Sequence, residues 1–319
     1  MSKHAFLFPG QASQAVGMGR DLYEQHSQAR ELFDEADEIL QYALSDICFE
    51  GPIERLSQTE VTQPAVYVHS AAVHALLSAG NVSAEIVAGH SLGEYSALHA
   101  VGVFSFSEGL KLVAERGRLM QVAGEQNSGK MAAVIGLEDE AVVQLCAEVC
   151  GDPDMAAGDN VVVAANFNAP GQVVVSGDAA AVEEFAERAA AAGARRVLEL
   201  PVSGAFHSRL MAPAADQMAR LLSEVEMASP TTAVISNVAA QPVVDVAQLR
   251  RQLIEQMTSP VRWTESVRCM AQEGVTSATE VGPGAVLKGL VRRIAPEIAV
   301  RTTATAGDIA AAADTSKGS

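Results

Sequence analysis

The stretch Ile86–Ala100, IVAGHSLGEYSALHA, decides how the rest of the chain is read. Its apolar run Ile86-Val87-Ala88 stops at Gly89-His90-Ser91-Leu92-Gly93, after which Glu94, Leu98 and Val101 take up helical spacing. The stretch therefore predicts a strand, a sharp turn and a helix, with a G-x-S-x-G at the turn. A serine on such a turn has a strained backbone and an exposed hydroxyl, and the flanking glycines leave room for the bend. The N–H that follows it, on Leu92, lies at a helix N-terminus, where partial positive charge favours a developing oxyanion. The bland alternative is a small-residue turn in an Ala/Gly-rich chain. The strand before the serine and the helix after it weigh against that.

Outward from the turn, strand-like and helix-like segments alternate. His4–Phe8 reads as a strand ending at the loop Pro9–Gln14, Asp21–Leu40 as an amphipathic helical region, and Pro64–Leu77 and Ser107–Ala123 as helices. Gly124–Gly129 reads as a break. Met131–Leu137, Asp139–Cys150, Val161–Phe167, Gln172–Asp178, Ala179–Ala192 and Arg195–Val202 then follow as β-α-β-β-α-β, the ferredoxin-like plan, with Asp152–Asp159 as a mobile loop. Beyond it come a helix at Met211–Glu224, a strand at Thr231–Val238, helices at Val246–Met257 and Trp263–Glu273, and a strand at Ser277–Val281. Ala285–Ile294 reads as a helix and Ile298–Thr303 as a last strand. The expected class is α/β: a hydrolase-like, mostly parallel sheet domain (residues 1–128 and 203–304) carrying an inserted ferredoxin-like small domain (residues 129–202). Residues 305–319 read as a flexible tail. In such sheets sites form at the carboxyl ends of strands, so the loops at Gln11, Ser91 and Gly282 are expected to share one rim.

Composition narrows the class. At 319 residues, 49% hydrophobic and 19% charged, the chain is globular, and with 4% aromatics its core is built from Ala, Val, Leu and Ile. No apolar run reaches the ~18 residues of a membrane span, and Met1–His4 running straight into a strand-like AFLF is too short for a signal peptide to be expected there. The net charge of −17 argues against nucleic acid or an anionic membrane as partner. Cys146 and Cys150 stand four apart on a helix with no histidine near, so zinc is not expected and the location expected is the reduced cytoplasm.

A serine hydroxyl needs a base. Of seven histidines, His69, His74 and His99 fall within helices, and His90, beside the serine, is expected to point away from it. His207, in Ser203–Ser208, lies past a strand end and downstream of the serine, the order of hydrolase-like sheets. Asp178 and Glu199 fall in the inserted block, so a Ser–His pair oriented by a backbone carbonyl is the simpler reading. Arg116 falls on the apolar face of its helix with Leu112, Val113, Leu119 and Met120, while Arg118 faces away. A buried guanidinium needs a carboxylate, either from the protein or from a substrate gripped by two parallel hydrogen bonds. Gly124–Lys130 mimics a phosphate loop, but Met131 replaces the Ser or Thr and a strand replaces the helix, so it reads as a linker.

These residues resemble the malonyl-CoA:acyl-carrier-protein transacylase family of fatty-acid synthesis. The resemblance runs through FPGQASQAVGMG (Phe8–Gly19), TQPA (Thr62–Ala65), GHSLGEYSAL (Gly89–Leu98), ERGRLMQ (Glu115–Gln121), NFNAPGQVVVSG (Asn166–Gly177), GAFHS (Gly204–Ser208), SPVRW (Ser259–Trp263) and EVGPG (Glu280–Gly284). It implies Ser91 as nucleophile, His207 as base, Arg116 as grip on the malonyl carboxylate, and the N–H groups of Gln11 and Leu92 as oxyanion hole. It further implies Gln63 and Phe206 at the substrate, Phe206 favouring malonyl over methylmalonyl, and the Gln256 carbonyl as support for the histidine. Ala12 stands where many members have glycine. The implied partners are malonyl-CoA and an acyl carrier protein bearing phosphopantetheine, with no metal or cofactor and the chain acting as a monomer. Carrier proteins are acidic, so docking on so acidic a chain calls for local basic residues: Lys288, Arg292 and Arg293 first, Arg195 and Arg196 second, all of which read equally well as a solvated face. The rivals are a serine hydrolase or thioesterase, a discrete acyltransferase serving a polyketide synthase, and a non-catalytic docking subunit.

Overall fold

A computed structural model of the chain describes residues 2–126, 129–151, 160–202 and 204–316. Its larger sheet joins β1 (Lys3–Phe8), β2 (Ile86–Gly89), β7 (Ala233–Ile235), β8 (Pro242–Val243), β9 (Val275–Val281) and β10 (Ala299–Thr303) in the order β10-β9-β1-β2-β7-β8. Every pairing is parallel except β7 with β8. Helices cover both faces, which is why the central strands read as unbroken apolar runs. Alternate residues enter different cores: Phe6, Phe8 and Val87 on one face, Ala5, Leu7, Ile86 and Ala88 on the other.

The second sheet is antiparallel and separate. It holds β3 (Gly129–Ile135), β4 (Val162–Ala169), β5 (Gln172–Asp178) and β6 (Arg196–Glu199) in the order β4-β5-β3-β6. Helices Asp139–Cys150 and Ala179–Ala191 close a third core over it, centred on Val134, Val142, Cys146, Val173, Val175, Val182 and Phe185. One edge of this sheet is tied to the larger body. Phe167 N–H donates to the Val261 carbonyl and Val261 N–H to the Ala165 carbonyl, each at 2.9 Å.

Several expectations are corrected. Asp21–Leu40 is two helices, Arg20–Gln25 and Ser27–Leu40, separated by extended backbone at His26. The helix expected from Pro64 begins at Thr59 and runs to Ala79, because its nearly complete burial outweighs the one hydrogen bond proline gives up. Gly124 does not end its helix, which spans Phe106–Gln126. That glycine serves close packing, since a Cβ added at the facing Gly204 would lie 3.2 Å from the Gly124 Cα. The strand expected at Thr231–Val238 covers only Ala233–Ile235, freeing Asn237 to turn toward the serine, and β8 had no sequence signal. The supposed tail forms helix Ala306–Ser316 with Ala306, Ile309 and Ala312 buried. Alanine favours helix, and Asp308 caps it by accepting from the Thr305 N–H at 3.0 Å. The loop at Asp152–Asp159 lies outside the described residues, as do Ser203 and part of the expected break after Gly124.

Neighbouring β9, β1 and β2 bring their carboxyl-end loops together. A Cβ on Gly282 would lie 2.8 Å from the Pro9 Cγ, and one on Gly10 would lie 2.6 Å from the His90 carbonyl oxygen. The rim expected for Gln11, Ser91 and Gly282 is therefore one surface. Among the described residues, no helix is long and apolar enough to cross a membrane.

Candidate active site

Ser91 stands two residues past the end of β2 and has φ 51°, in the left-handed region that a side chain enters only under strain. The bend is possible because both flanking glycines lack a Cβ: one on Gly89 would lie 1.9 Å from the Gly93 carbonyl, and one on Gly93 would lie 2.0 Å from the Phe8 carbonyl oxygen. Asn237 braces the turn. Its Oδ1 accepts from the Ser91 N–H at 2.7 Å, and its Nδ2 donates to the Gly89 carbonyl at 2.6 Å.

His207 reaches Ser91 from the loop after β6, also on left-handed backbone, with φ 59°. Its Nε2 lies 2.8 Å from the Ser91 Oγ, and its Nδ1 lies 2.8 Å from the Gln256 carbonyl. A carbonyl only accepts, so Nδ1 carries the proton and the Nε2 lone pair faces the hydroxyl. Burial, with the Arg116 guanidinium adding to it, holds the imidazole down to about 3. The ring is thus neutral near neutral pH, with its Nε2 lone pair unprotonated and facing the hydroxyl. Burial likewise lowers His69 and His74 to about 4. These three groups contribute stability that is complete above the unfolded value of 6.5 and lost as pH falls toward their folded values. Glu94, raised to about 7 mainly by burial, acts oppositely, as do Glu280 and Asp139, but burial also lowers His4, His90 and His99, so the histidines outnumber the carboxyls. The melting temperature is therefore expected to fall steeply between pH 6.5 and pH 4, read by calorimetry; a flat profile contradicts the neutral, buried histidines.

Arg116 is fully buried, whereas Arg118 pairs with Glu115 at the surface, as the helical wheel predicts. All three oxygens that Arg116 reaches are neutral. Nη1 donates to Gln63 Oε1 at 2.7 Å, and Nη2 to Gln256 Oε1 at 2.8 Å and to Ser91 Oγ at 3.1 Å. Its Nε has no hydrogen-bond partner among the described residues. The guanidinium carbon lies 5.5 Å from the centre of the Tyr95 ring. The protein thus buries a cation beside the Ser91 hydroxyl and forms no ion pair with it among the described residues; the Glu94 carboxyl is linked to it only through the Gln256 amide.

Comparison with known proteins decides the family. Residues 5–310 match the acyl transferase domain family. The chain is 45% identical over 294 residues to the malonyl CoA-acyl carrier protein transacylase of Bacillus subtilis, covering 92% of this chain and 91% of that protein. The chain belongs to the malonyl CoA-acyl carrier protein transacylase family. Solved structures agree. An acyl carrier protein S-malonyltransferase from Vibrio cholerae superposes with a TM-score of 0.92 at 44% identity, over 97% of this chain and 99% of that one. A malonyl-transacylase solved with a type II polyketide-synthase acyl-carrier protein superposes with a TM-score of 0.93 at 38% identity, over 98% and 100%.

In this member of the transacylase family, the remaining candidates fall around the same centre with one exception. Gln63 is buried and, besides holding Arg116, donates from Nε2 to Gln11 Oε1 at 3.3 Å, tying the β1 loop to the site. The main-chain N–H groups of Gln11 and Leu92 have no backbone partner among the described residues. Phe206 is buried next to His207 and packs against Gly204. The exception is the basic set on helix Val286–Ile294, which has no hydrogen bond to these residues among the described ones. Lys288, Arg292 and Arg293 are exposed there, but Arg293 is engaged with the β4–β5 turn, donating to the Pro170 carbonyl at 2.8 Å and to Gln172. Arg195 and Arg196 are exposed at the start of β6.

Three contributors escaped the sequence reading: Asn237, Glu94 and the side chain of Gln256. Gln256 Nε2 donates to the Ser91 carbonyl at 3.0 Å and to Glu94 Oε2 at 2.6 Å. A carboxylate one turn after a serine elbow was the available signal, since an acid there cannot reach solvent if the helix is buried. His90 turns away as expected, with Nε2 2.7 Å from Asn168 Oδ1 and the ring against Trp263. Among the described residues no cluster of His, Cys, Asp and Glu has metal-holding geometry.

Proposed function

We propose that the protein transfers the malonyl group of malonyl-CoA to the phosphopantetheine thiol of an acyl carrier protein through a malonyl-Ser91 ester, supplying fatty-acid elongation. The observation that carries this reading is Arg116, a buried guanidinium that forms no ion pair among the described residues, 3.1 Å from the candidate nucleophile. A malonyl carboxylate supplies the missing partner and places its own thioester carbonyl beside Ser91 Oγ.

In this reading His207 Nε2 takes the serine proton as Oγ attacks the thioester carbon. The negative charge that forms on oxygen is met by the Gln11 and Leu92 N–H groups, each donor contributing about 3–4 kcal/mol to the transition state. The C–S bond breaks, the His207 proton goes to the departing CoA thiolate, and the malonyl ester remains on Ser91. The carrier's thiol then gives its proton to His207 and attacks the ester, and Ser91 leaves with that proton. The scheme is ping-pong and uses no metal or cofactor. Before substrate binds, Arg116 donates to Ser91 Oγ, which lowers its nucleophilicity; a carboxylate that takes over the guanidinium releases the hydroxyl for attack. Phe206 fills space a branched acyl group would need.

We read residues 129–202 as an inserted ferredoxin-like domain, which the order β4-β5-β3-β6 supports. Lys288 and Arg292 are proposed to meet an acidic carrier, and the protein is proposed to act as a cytoplasmic monomer. The test is intact-protein mass after mixing with malonyl-, acetyl- and methylmalonyl-CoA in turn. A malonyl adduct that outweighs both others supports the reading. Equal acetyl loading overturns the role of Arg116, and absence of any adduct revives a docking subunit.

A further inference from the structure

The chemistry proposed above uses Ser91, His207 and Arg116 and leaves over a buried carboxyl beside them. Glu94 sits in the first turn of helix Gly93–Ala100 and is 1% exposed. Its Oε2 accepts from Gln256 Nε2 at 2.6 Å, and its Oε1 accepts from the Asn237 backbone N–H at 3.3 Å. Both partners lead straight back to the site. Asn237 braces the Ser91 N–H, while Gln256 presents its side-chain oxygen to Arg116 and its main-chain oxygen to His207.

We infer that Glu94 is a positioning residue: it fixes the donor–acceptor direction of the Gln256 amide, and through it holds the Arg116 guanidinium where the acyl carboxylate must land. The inference rests on the malonyl reading above. Its physical basis is that a guanidinium only donates, while both Glu94 oxygens are taken up as acceptors, Oε2 from Gln256 and Oε1 from the Asn237 N–H. An amide set between them has one orientation that satisfies both, with oxygen toward Arg116 and nitrogen toward Glu94. Gln63 repeats the pattern on the other side, oxygen toward Arg116 and nitrogen toward Gln11. The chain of side chains therefore has a direction, and Glu94 is the acceptor at one end of it.

Glu94→Gln keeps the shape and removes that property. The new amide has one oxygen for the buried donors Gln256 Nε2 and the Asn237 N–H, with the Ser236 hydroxyl beside them. If its oxygen meets Asn237, Gln256 faces an NH2 group and must turn over, setting donor against donor at Arg116. If its oxygen meets Gln256, the Asn237 N–H is orphaned and the brace on Ser91 loosens. The close 2.6 Å contact and the buried guanidinium make Arg116 the group at stake. A merely structural acid under the helix, by contrast, predicts a loss that ignores which thioester is offered.

The experiment is single-turnover loading of Ser91 with malonyl-CoA and with acetyl-CoA, in wild type, Glu94→Gln, Gln256→Ala and the double variant. Glu94→Gln is expected to lower malonyl loading on the order of tenfold more than acetyl loading, chiefly by raising the half-saturating malonyl-CoA concentration. The double variant is expected to lose no more selectivity than Gln256→Ala alone, because both act through one amide. Equal losses on the two thioesters, or losses that simply add, overturn the inference. Should Glu94→Gln not fold, Gln256→Ala carries the test, and unchanged malonyl preference there overturns it. A wild-type protein that takes no malonyl overturns the functional reading itself; a malonyl-selective wild type with equally selective variants overturns this inference alone.

Discussion

Ser91→Ala is expected to leave no malonyl adduct and to lower transfer to a carrier on the order of a million-fold, the scale seen when an acyl-transfer nucleophile is removed. The size follows from the site. Among the described residues no other hydroxyl or thiol hydrogen-bonds the His207 Nε2, which faces Ser91 Oγ at 2.8 Å. The substitution removes a single oxygen from a residue whose backbone is held independently of it, by Asn237 at the N–H and by Gln256 at the carbonyl. The variant should therefore fold and still bind malonyl-CoA through Arg116. Intact mass reports the adduct, and calorimetry in the presence of malonyl-CoA reports retained binding. An adduct of unchanged yield in Ser91→Ala would show that acylation occurs elsewhere.

Arg116→Ala is expected to lower the malonyl loading constant kcat/KM by about 10²–10⁴-fold, since breaking a buried, hydrogen-bonded charge pair costs about 3–5 kcal/mol. Acetyl loading has no carboxylate to lose, and it also gains from removal of the Arg116 hydrogen bond on Ser91 Oγ. It should fall far less. Both variants leave Gln63 and Gln256 without that donor, and since Ala also leaves a cavity, Arg116→Met is the better-filled companion variant and should show the same change in preference. Single-turnover loading with both thioesters reads the outcome. Parallel losses on malonyl and acetyl would make Arg116 a structural cation and remove the substrate assignment.

What the sequence revealed and what it hid have distinct physical causes. The elbow was legible because a buried parallel strand, a G-x-S-x-G and a helix follow one another within one local stretch, and local geometry alone demands the two glycines. Arg116 was legible because a charge on an apolar helix face is an anomaly in a pattern. The β-α-β-β-α-β run announced the second sheet by the change of rhythm after Lys130, although its strands paired by register rather than by any sequence mark. The hidden parts depend on distant segments. Asn237 looked like the end of a strand, and only pairing with β2 makes it a brace for Ser91. Gly124 looked like a helix stop because its partner Gly204 lies far along the chain. Glu94 looked like an ordinary acid of a helix first turn until the burial of that helix left its carboxyl facing Gln256. The helix Ala306–Ser316 looked like a tail because small residues carry a weak apolar pattern, and its docking depends on Asp21, whose Oδ2 accepts from the Ala306 N–H at 2.7 Å.

The central claim is transfer to a carrier thiol rather than release to water. The most direct measurement is to load the protein with malonyl-CoA, remove excess thioester, and divide the malonyl-enzyme between buffer and a phosphopantetheine-bearing acyl carrier protein, following both proteins by intact mass. The account predicts that the malonyl mass leaves Ser91 quickly and appears on the carrier, while the ester in buffer persists much longer. Loss of the adduct at the same rate in both, with free malonate as product and an unmodified carrier, would contradict it and make the protein a thioesterase.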